Sequence, residues 1–469
     1  MRGYPQKGSG IGPTSAGLRI ISALESRAEA QSGLGLFFIR TQRRLNALSF
    51  GRDLTKPRRS EKVAPVVSPA HSGSLSSLRE LNRLRVLETV RERGSVSRAE
   101  ISRQTGLARS TVSSLVGDLH RAGLIVESTN GRDPATSRGG RPPVLLKLNP
   151  GAGAVLGIHF DHGFVRVALA ELDHRILAEA GRELDVDHDA AACLDVATDL
   201  ANEVVARSGI DRDRLLGAGV AVSGPIDQDT GTLGSTTIMP GWVGLDVAGE
   251  LEGRLGLPVH IDNDANLGAL AESVLGAGRD ASELVYLMLS SGIGGGLVIG
   301  GRLHRGSRGT AGEIGHVMVN EQGPICRCGN RGCLETYAGA NAVLELLRPS
   351  HGENLTIEDM VALARDGDPA CQRVIADAAR IVGGVVAALC NQLNPERVVV
   401  GGKLAEADEL LLGPMREAVR RYAIPAASDD AQVVRATLGE RAELLGALIL
   451  VIGKSDRAFS GRVRAAVGR

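Results

Sequence analysis

The chain has 469 residues, 43% hydrophobic and 23% charged, enough apolar content to bury a large core, at a length that suggests about three domains. Its net charge of zero hides a division: residues 1–150 carry 25 basic against 11 acidic side chains, leaving 29 against 43 for the rest, so polyanion binding is expected of the front third alone. The longest apolar runs, Leu34 to Ile39 and Leu444 to Ile452, fall well short of the roughly 20 residues that span a bilayer, which excludes a membrane role, and the six scattered or clustered cysteines fit a reducing, cytoplasmic setting.

Residues 1–75 hold 12 basic and 4 acidic side chains, with no sustained periodicity and no signal-peptide core. They read as a basic arm without fixed structure, or as translated sequence upstream of the true start. From Leu78 the pattern changes. Leu81, Leu84, Val86, Leu87 and Val90 share one helical face that ends near Gly94, and Ser97-Arg98-Ala99-Glu100 reads as a capping box starting a short second helix. Gly106 supplies a turn, and a third helix from about Arg109 turns Val112, Leu115, Val116 and Leu119 toward a core. Arg109, Ser110, Thr111, Ser113 and Ser114 are left at its outer, N-terminal end.

That organisation is a helix-turn-helix, whose last helix enters the major groove by its first turns. Two strand-like runs follow, Leu124 to Glu127 and Val144 to Leu148, flanking a loop that ends in Ser137-Arg138-Gly139-Gly140-Arg141-Pro142-Pro143. They predict a wing whose cationic tip, Arg138 and Arg141, suits the narrow minor groove of A·T-rich DNA. Residues 76–150 are therefore expected to be a winged helix-turn-helix that contacts double-stranded operator DNA through Arg109, Ser110, Thr111, Ser114, Arg138 and Arg141. A helical protein-interaction domain with a solvated basic face is the alternative.

Beyond Val155, apolar strands alternate with helices, which implies an α/β body over 151–469 with sites at strand carboxyl ends. Within it, His316, Cys326, Cys328 and Cys333 fall in eighteen positions with the spacing H-x9-C-x-C-x4-C. Three thiolates and an imidazole make the tetrahedral shell that zinc favours, and four protein ligands leave no place for an activated water. A structural zinc knuckle at 316–333 is expected, with a disulfide as the lesser alternative.

Ser223-Gly224-Pro225, Pro240-Gly241-Trp242, Asn263-Asp264-Ala265-Asn266, Gly294-Gly295-Gly296, Gly312-Glu313-Ile314-Gly315-His316, the cysteine cluster, Asn394-Pro395-Glu396 and Gly401-Gly402 together resemble the ROK family of repressors, open reading frames and sugar kinases. The resemblance spans about 76–469 and includes the head, since the regulator branch joins a winged helix-turn-helix to the kinase-like body. It implies a two-lobed, actin-like, ribonuclease-H-like body with a sugar in the cleft. In the family's kinases, the residue matching Asp264 takes the proton of the attacking hydroxyl, and those matching Asn263, Glu313, His316 and Glu335 hold the other hydroxyls. The implied sugar site is Gly224, Asn263, Asp264, Glu313, His316 and Glu335.

The nucleotide half departs from the family pattern. Where the kinases read Asp-x-Gly-Gly-Thr, this chain has His159-Phe160-Asp161-His162-Gly163, which places a carboxylate and bulky side chains where phosphate needs close backbone approach. ATP is not expected to bind. The expectation is a sugar-responsive regulator, a homodimer or homotetramer that represses transcription and is not an enzyme. A hexokinase with Asp264 as its base and an appended DNA-binding head is the rival, and a scaffold that binds another protein the third reading. His316 is expected on one helical face with Glu313, one ring nitrogen on the metal and the other on a sugar hydroxyl.

Overall fold

A computed structural model of the chain describes residues 75–128, 144–227, 230–234 and 238–467. The basic arm and the wing tip with Arg138 and Arg141 lie outside the described residues.

The head is helix α1 (Leu75–Arg93), strand β1 (Val96–Ser97), α2 (Arg98–Thr105), α3 (Arg109–Arg121), β2 (Ile125–Ser128) and β3 (Leu145–Leu148). Local chemistry sets its corners. The Ser97 hydroxyl accepts from the Glu100 amide at 3.3 Å while Glu100 Oε2 accepts from the Ser97 amide at 3.1 Å, a reciprocal cap that starts α2. Gly106 ends α2 at φ 71°, which a side chain with a Cβ resists. β3 lies between β1 and β2, antiparallel to both, and Val112, Leu115, Val116 and Leu119 of α3 are buried.

The body repeats one sheet plan. Strands β4 (Ala154–Asp161), β5 (Phe164–Glu171), β6 (Ile176–Glu183), β7 (Leu215–Val222) and β8 (Val259–Asn263) lie in the order β6-β5-β4-β7-β8, with two antiparallel pairings followed by two parallel ones. Strands β9 (Leu284–Leu289), β10 (Ile293–Ile299), β11 (Arg302–His304), β12 (Arg397–Gly401) and β13 (Gln432–Arg435) repeat that order and those directions as β11-β10-β9-β12-β13. Such duplicated sheets are the two lobes of an actin-like body. β4 is buried along nearly its whole length, because α4 (Ala190–Ser208) covers one face and α13 (Ala442–Val467) the other, and so it reads as a continuous apolar run.

Helix α13 lies close enough to touch backbone. A Cβ on Gly219 of β7 would sit 1.9 Å from the Ala447 carbonyl oxygen, and one on Gly446 would sit 2.0 Å from that of Leu267 in α6 (Asp264–Val274). Leu444, Leu448, Val451 and Ile452 of α13 belong to the same buried cluster as Val86, Val112, Leu115 and Leu119 of the head, together with Val155, Ala168 and Leu172. The head thus shares its core with the first lobe. In the second lobe, α10 (Pro369–Leu393) is, among the described residues, the one helix long and apolar enough to cross a membrane by length and composition. Its apolar face, Ile375, Val382, Val386 and Cys390 among others, is instead packed in the lobe core.

Candidate functional site

A cleft of about 500 Å3 opens where strand ends of both sheets converge. Gly224, Asn263, Asp264, Glu313, His316 and Glu335, the whole implied sugar set, line it together. Asn263 caps α6, accepting from the Asn266 amide at 3.1 Å, so its Nδ2 is free to donate to the Gly224 carbonyl at 3.0 Å and to Asp264 Oδ1 at 2.9 Å. Asp264 is 5% exposed. It accepts from the Ser223 hydroxyl at 2.6 Å and from the Ala265 amide at 2.7 Å. Burial raises its carboxyl above the usual range despite those donors, with Asp161 adding to the rise. A carboxylate held in one orientation beside a cavity is placed to accept a proton from a hydroxyl.

Glu313 faces the same space, pushed to about 7 by burial and by the charges of Asp264 and Glu335. Glu335 is clamped by Arg327 through two bonds of 2.9 and 3.0 Å and accepts from the Ile293 amide at 3.1 Å. Glu313 and His316 do not share a helical face as expected. Residues Ile314–His316 form a single 3-10 turn with Glu313 just before it, because Gly312 at φ 97° packs its backbone against Gly295 and leaves no room for a longer helix. The turn still brings His316 Nε2 to 3.8 Å from Glu313 Oε2.

His316 Nδ1 points the other way, 3.6 Å from Cys326 Sγ, while Cys328 and Cys333 Sγ are 3.7 Å apart, and all four ligand atoms lie within 4.8 Å of one another. Those separations match the edges of a tetrahedron with bonds of roughly 2.0 Å to nitrogen and 2.3 Å to sulfur. The knuckle is folded tightly: Gly332, at φ 65°, would place a Cβ 1.6 Å from the Asn320 carbonyl oxygen. Burial and the neighbouring thiols push Cys333 up to about 12, so a bound cation must displace protons here.

The hairpin between β4 and β5 forms the other wall. Asp161 and His162 line the cleft, His162 Nδ1 lies 2.7 Å from Asp187 Oδ1, and His159 is buried, its Nδ1 without a partner and its imidazole driven down to about 4 chiefly by burial. Among the described lining residues each lysine and arginine is paired: Arg327 with Glu335, Lys403 with Glu358 at 2.7 Å, Arg365 with Glu406 at 3.8 Å. Two further wall residues were not among the expected site residues. Glu443, 6% exposed at the start of α13, accepts from the Tyr286 hydroxyl at 3.3 Å and is pushed to about 8 by burial. A lone acid opening the apolar run Leu444 to Ile452 was the available signal. Ser223 had none beyond its place before Gly224.

On the head, Arg109, Ser110, Ser113 and Ser114 are exposed and Thr111 is half-buried. Ala108 precedes α3 without a side-chain cap, so the first amides of the helix are open to an anion. Ser114 accepts from Arg79 Nη2 at 3.2 Å.

The ROK family model matches residues 166–454, and a MarR family model matches 80–133. The chain belongs to the ROK family. It is 31% identical over 395 residues, 81% of its length and 97% of the other's, to the xylose repressor of Caldicellulosiruptor bescii. The glucokinase of Thermotoga maritima is 33% identical over 315 residues, covering 63% of this chain and 96% of that one. A solved ROK family transcriptional regulator, described as a homologue of the E. coli Mlc protein, superposes with a TM-score of 0.70 at 28% identity over 83% of this chain and 99% of its own. Kinase relatives therefore match the body, and regulator relatives match body and head together.

Proposed function

We propose that the chain is a sugar-responsive transcriptional repressor whose head binds double-stranded operator DNA and whose cleft takes an uncharged carbohydrate without phosphorylating it. One observation carries the reading: the residues implied to hold a polyol line one cleft together, while each described Lys and Arg of the lining is paired with a carboxylate and Asp161, Asp264 and Glu313 add further acidic groups. A hydroxylated, neutral ligand fits that field. A phosphate or triphosphate meets repulsion with no unpaired cation among the described lining residues to offset it. The regulator relatives support the DNA partner, as do the exposed hydroxyls and Arg109 at the tip of α3.

Zinc in the knuckle, held by His316, Cys326, Cys328 and Cys333, would be structural. It would fix His316 Nδ1 and so orient Nε2 toward the sugar. Two heads on a dimer, or on each dimer of a tetramer, predict an operator with two-fold symmetry.

The test is calorimetry of the purified chain with xylose, glucose and glucose 6-phosphate, followed by a gel shift on selected genomic fragments with and without the sugar that binds. A neutral sugar should bind and alter operator affinity, the phosphate should not bind, and Asp264→Asn or Glu313→Gln should weaken sugar binding at least tenfold. Preferential binding of the sugar phosphate would overturn the proposed specificity.

The second reading, a hexose kinase with a DNA-binding head, is favoured by the buried Asp264 and its Ser223 donor. Sugar-dependent ADP release abolished by Asp264→Asn would establish it.

A further inference from the structure

Helix α8 (Ala340–His351) ends where α10 begins, and three potential ligands meet at the join. His351 Nε2 lies 3.3 Å from Asp368 Oδ2 and 3.8 Å from Cys371 Sγ, and the three atoms lie within 4.8 Å of one another. Those separations resemble the ones in the knuckle, and roughly fit tetrahedral edges around an ion bound at about 2.0 Å to nitrogen or oxygen and 2.3 Å to sulfur.

Surrounding hydrogen bonds aim all three groups. The Ser350 hydroxyl lies 3.1 Å from the Leu347 carbonyl and 2.8 Å from His351 Nδ1, so that by donating to the first and accepting from the second it favours the neutral ring with its proton on Nδ1 and its lone pair on Nε2. Asp368 Oδ1 is occupied by the amides of Ala370 and Cys371, at 3.0 and 2.8 Å, as the cap of α10, leaving Oδ2 turned to the histidine. An imidazole lone pair, a carboxylate oxygen and a sulfur therefore converge on one point. A divalent cation would satisfy all three at once, and outer hydrogen bonds that fix each ligand are what metal centres use to hold their first shell.

We propose that His351, Asp368 and Cys371 form a second metal site, separate from the knuckle, for a borderline divalent cation of the zinc class. Mixed nitrogen, oxygen and sulfur donors select that class over magnesium or calcium, and three protein ligands leave a fourth position to water. Binding exchanges the Cys371 thiol proton for the ion, the proton passing to solvent. The site would pin the end of α8 to the start of α10 and close the segment 352–367 between them, which contains α9 (Ile357–Arg365). α9 presents Glu358 and Arg365 to the cleft, so the ion would brace one of its walls.

Metal content of the full chain, purified in excess zinc and dialysed free of unbound ion, tests the site by elemental analysis, with cobalt titration as a second probe. Cys371→Ser should lower the content by one equivalent relative to the parent and remove one thiolate's share of the sulfur-to-cobalt charge-transfer absorbance. Asp368→Asn retains a good helix cap while losing the carboxylate, so it should stay folded and bind the same ion at least tenfold more weakly. Should Cys371→Ser lose helicity by circular dichroism, Asp368→Asn and His351→Gln decide alone. Unchanged content and affinity in folded variants would leave only an imidazolium–carboxylate pair at this join and overturn the proposal.

Discussion

Glu443 is the residue whose chemistry is most at odds with its surroundings. Its carboxyl sits against Tyr286 in the cleft wall, and burial first, with Asp264 and Asp161 beyond the local hydrogen bonds, raises it to about 8. A group with a raised folded pKa gives stability that is complete below its unfolded value near 4.5 and is lost as pH climbs toward 8. Glu313, at about 7, acts in the same direction. His159 and His174, both driven down to about 4 mainly by burial, act oppositely: their stability is complete above about 6.5 and is lost as pH falls toward 4. Thermal melting should therefore weaken on both sides of a maximum near neutral to slightly acid pH. Glu443→Gln should melt at least about 2 °C above the parent at pH 8 and lose that advantage by pH 4.5. An advantage that is constant across pH would mean that shape, not charge, sets the cost of Glu443.

Among elements, α3 shows how an unreadable contact underlies a readable one. Its apolar face and its exposed N-terminal hydroxyls follow from helical spacing, but Asp118 on the same helix is 1% exposed and binds Arg79 at 2.8 Å, Arg121 at 2.5 Å and Arg83 at 3.5 Å. Burial raises its carboxyl, and the arginines more than reverse that, leaving it below the ordinary range. Asp118→Ala would strand buried Arg83 and should cost about 3–5 kcal/mol, with operator binding lost although Asp118 itself is buried. Ser113→Ala, on the exposed face, should leave stability within about 0.5 kcal/mol. Melting curves paired with gel shifts separate the two effects. The contrast also marks what the sequence conveyed. Ser97 with Glu100, Gly106, the knuckle ligands and the run Asn263-Asp264 were legible because their partners lie within a few residues or because the motif is compact. Asp118 with Arg79 and Glu443 with Tyr286 depend on chain segments that only tertiary packing joins. The turn at Glu313 departs from the expected helix because the constraint on it comes through Gly312 from Gly295, seventeen positions before that glycine.

At the scale of the whole molecule, α13 joins the two functional ends. It carries Glu443 into the cleft wall, packs bare backbone against the first sheet at Gly219 and against α6 at Gly446, and lends Leu444, Leu448, Val451 and Ile452 to the core that holds the head. The apolar run Leu444 to Ile452 is legible in the sequence as too short to span a membrane, but nothing in it names the head as a partner. A sugar can change operator affinity only by favouring one arrangement of head and lobes over another, and a helix that reaches both the cleft wall and the core of the head is an element able to carry that difference. Leu448, 1% exposed, lies in the shared cluster, away from the lining of the cleft. Leu448→Ala should cost about 2–5 kcal/mol, and the loosened contact should leave sugar affinity by calorimetry within about twofold of the parent. The sugar-induced change in operator affinity should shrink by at least fivefold, because coupling energies of about 1–3 kcal/mol cannot survive a slack joint of that size. Full retention of the sugar effect on DNA binding in a folded Leu448→Ala chain would move the coupling off α13 and onto the contacts between subunits.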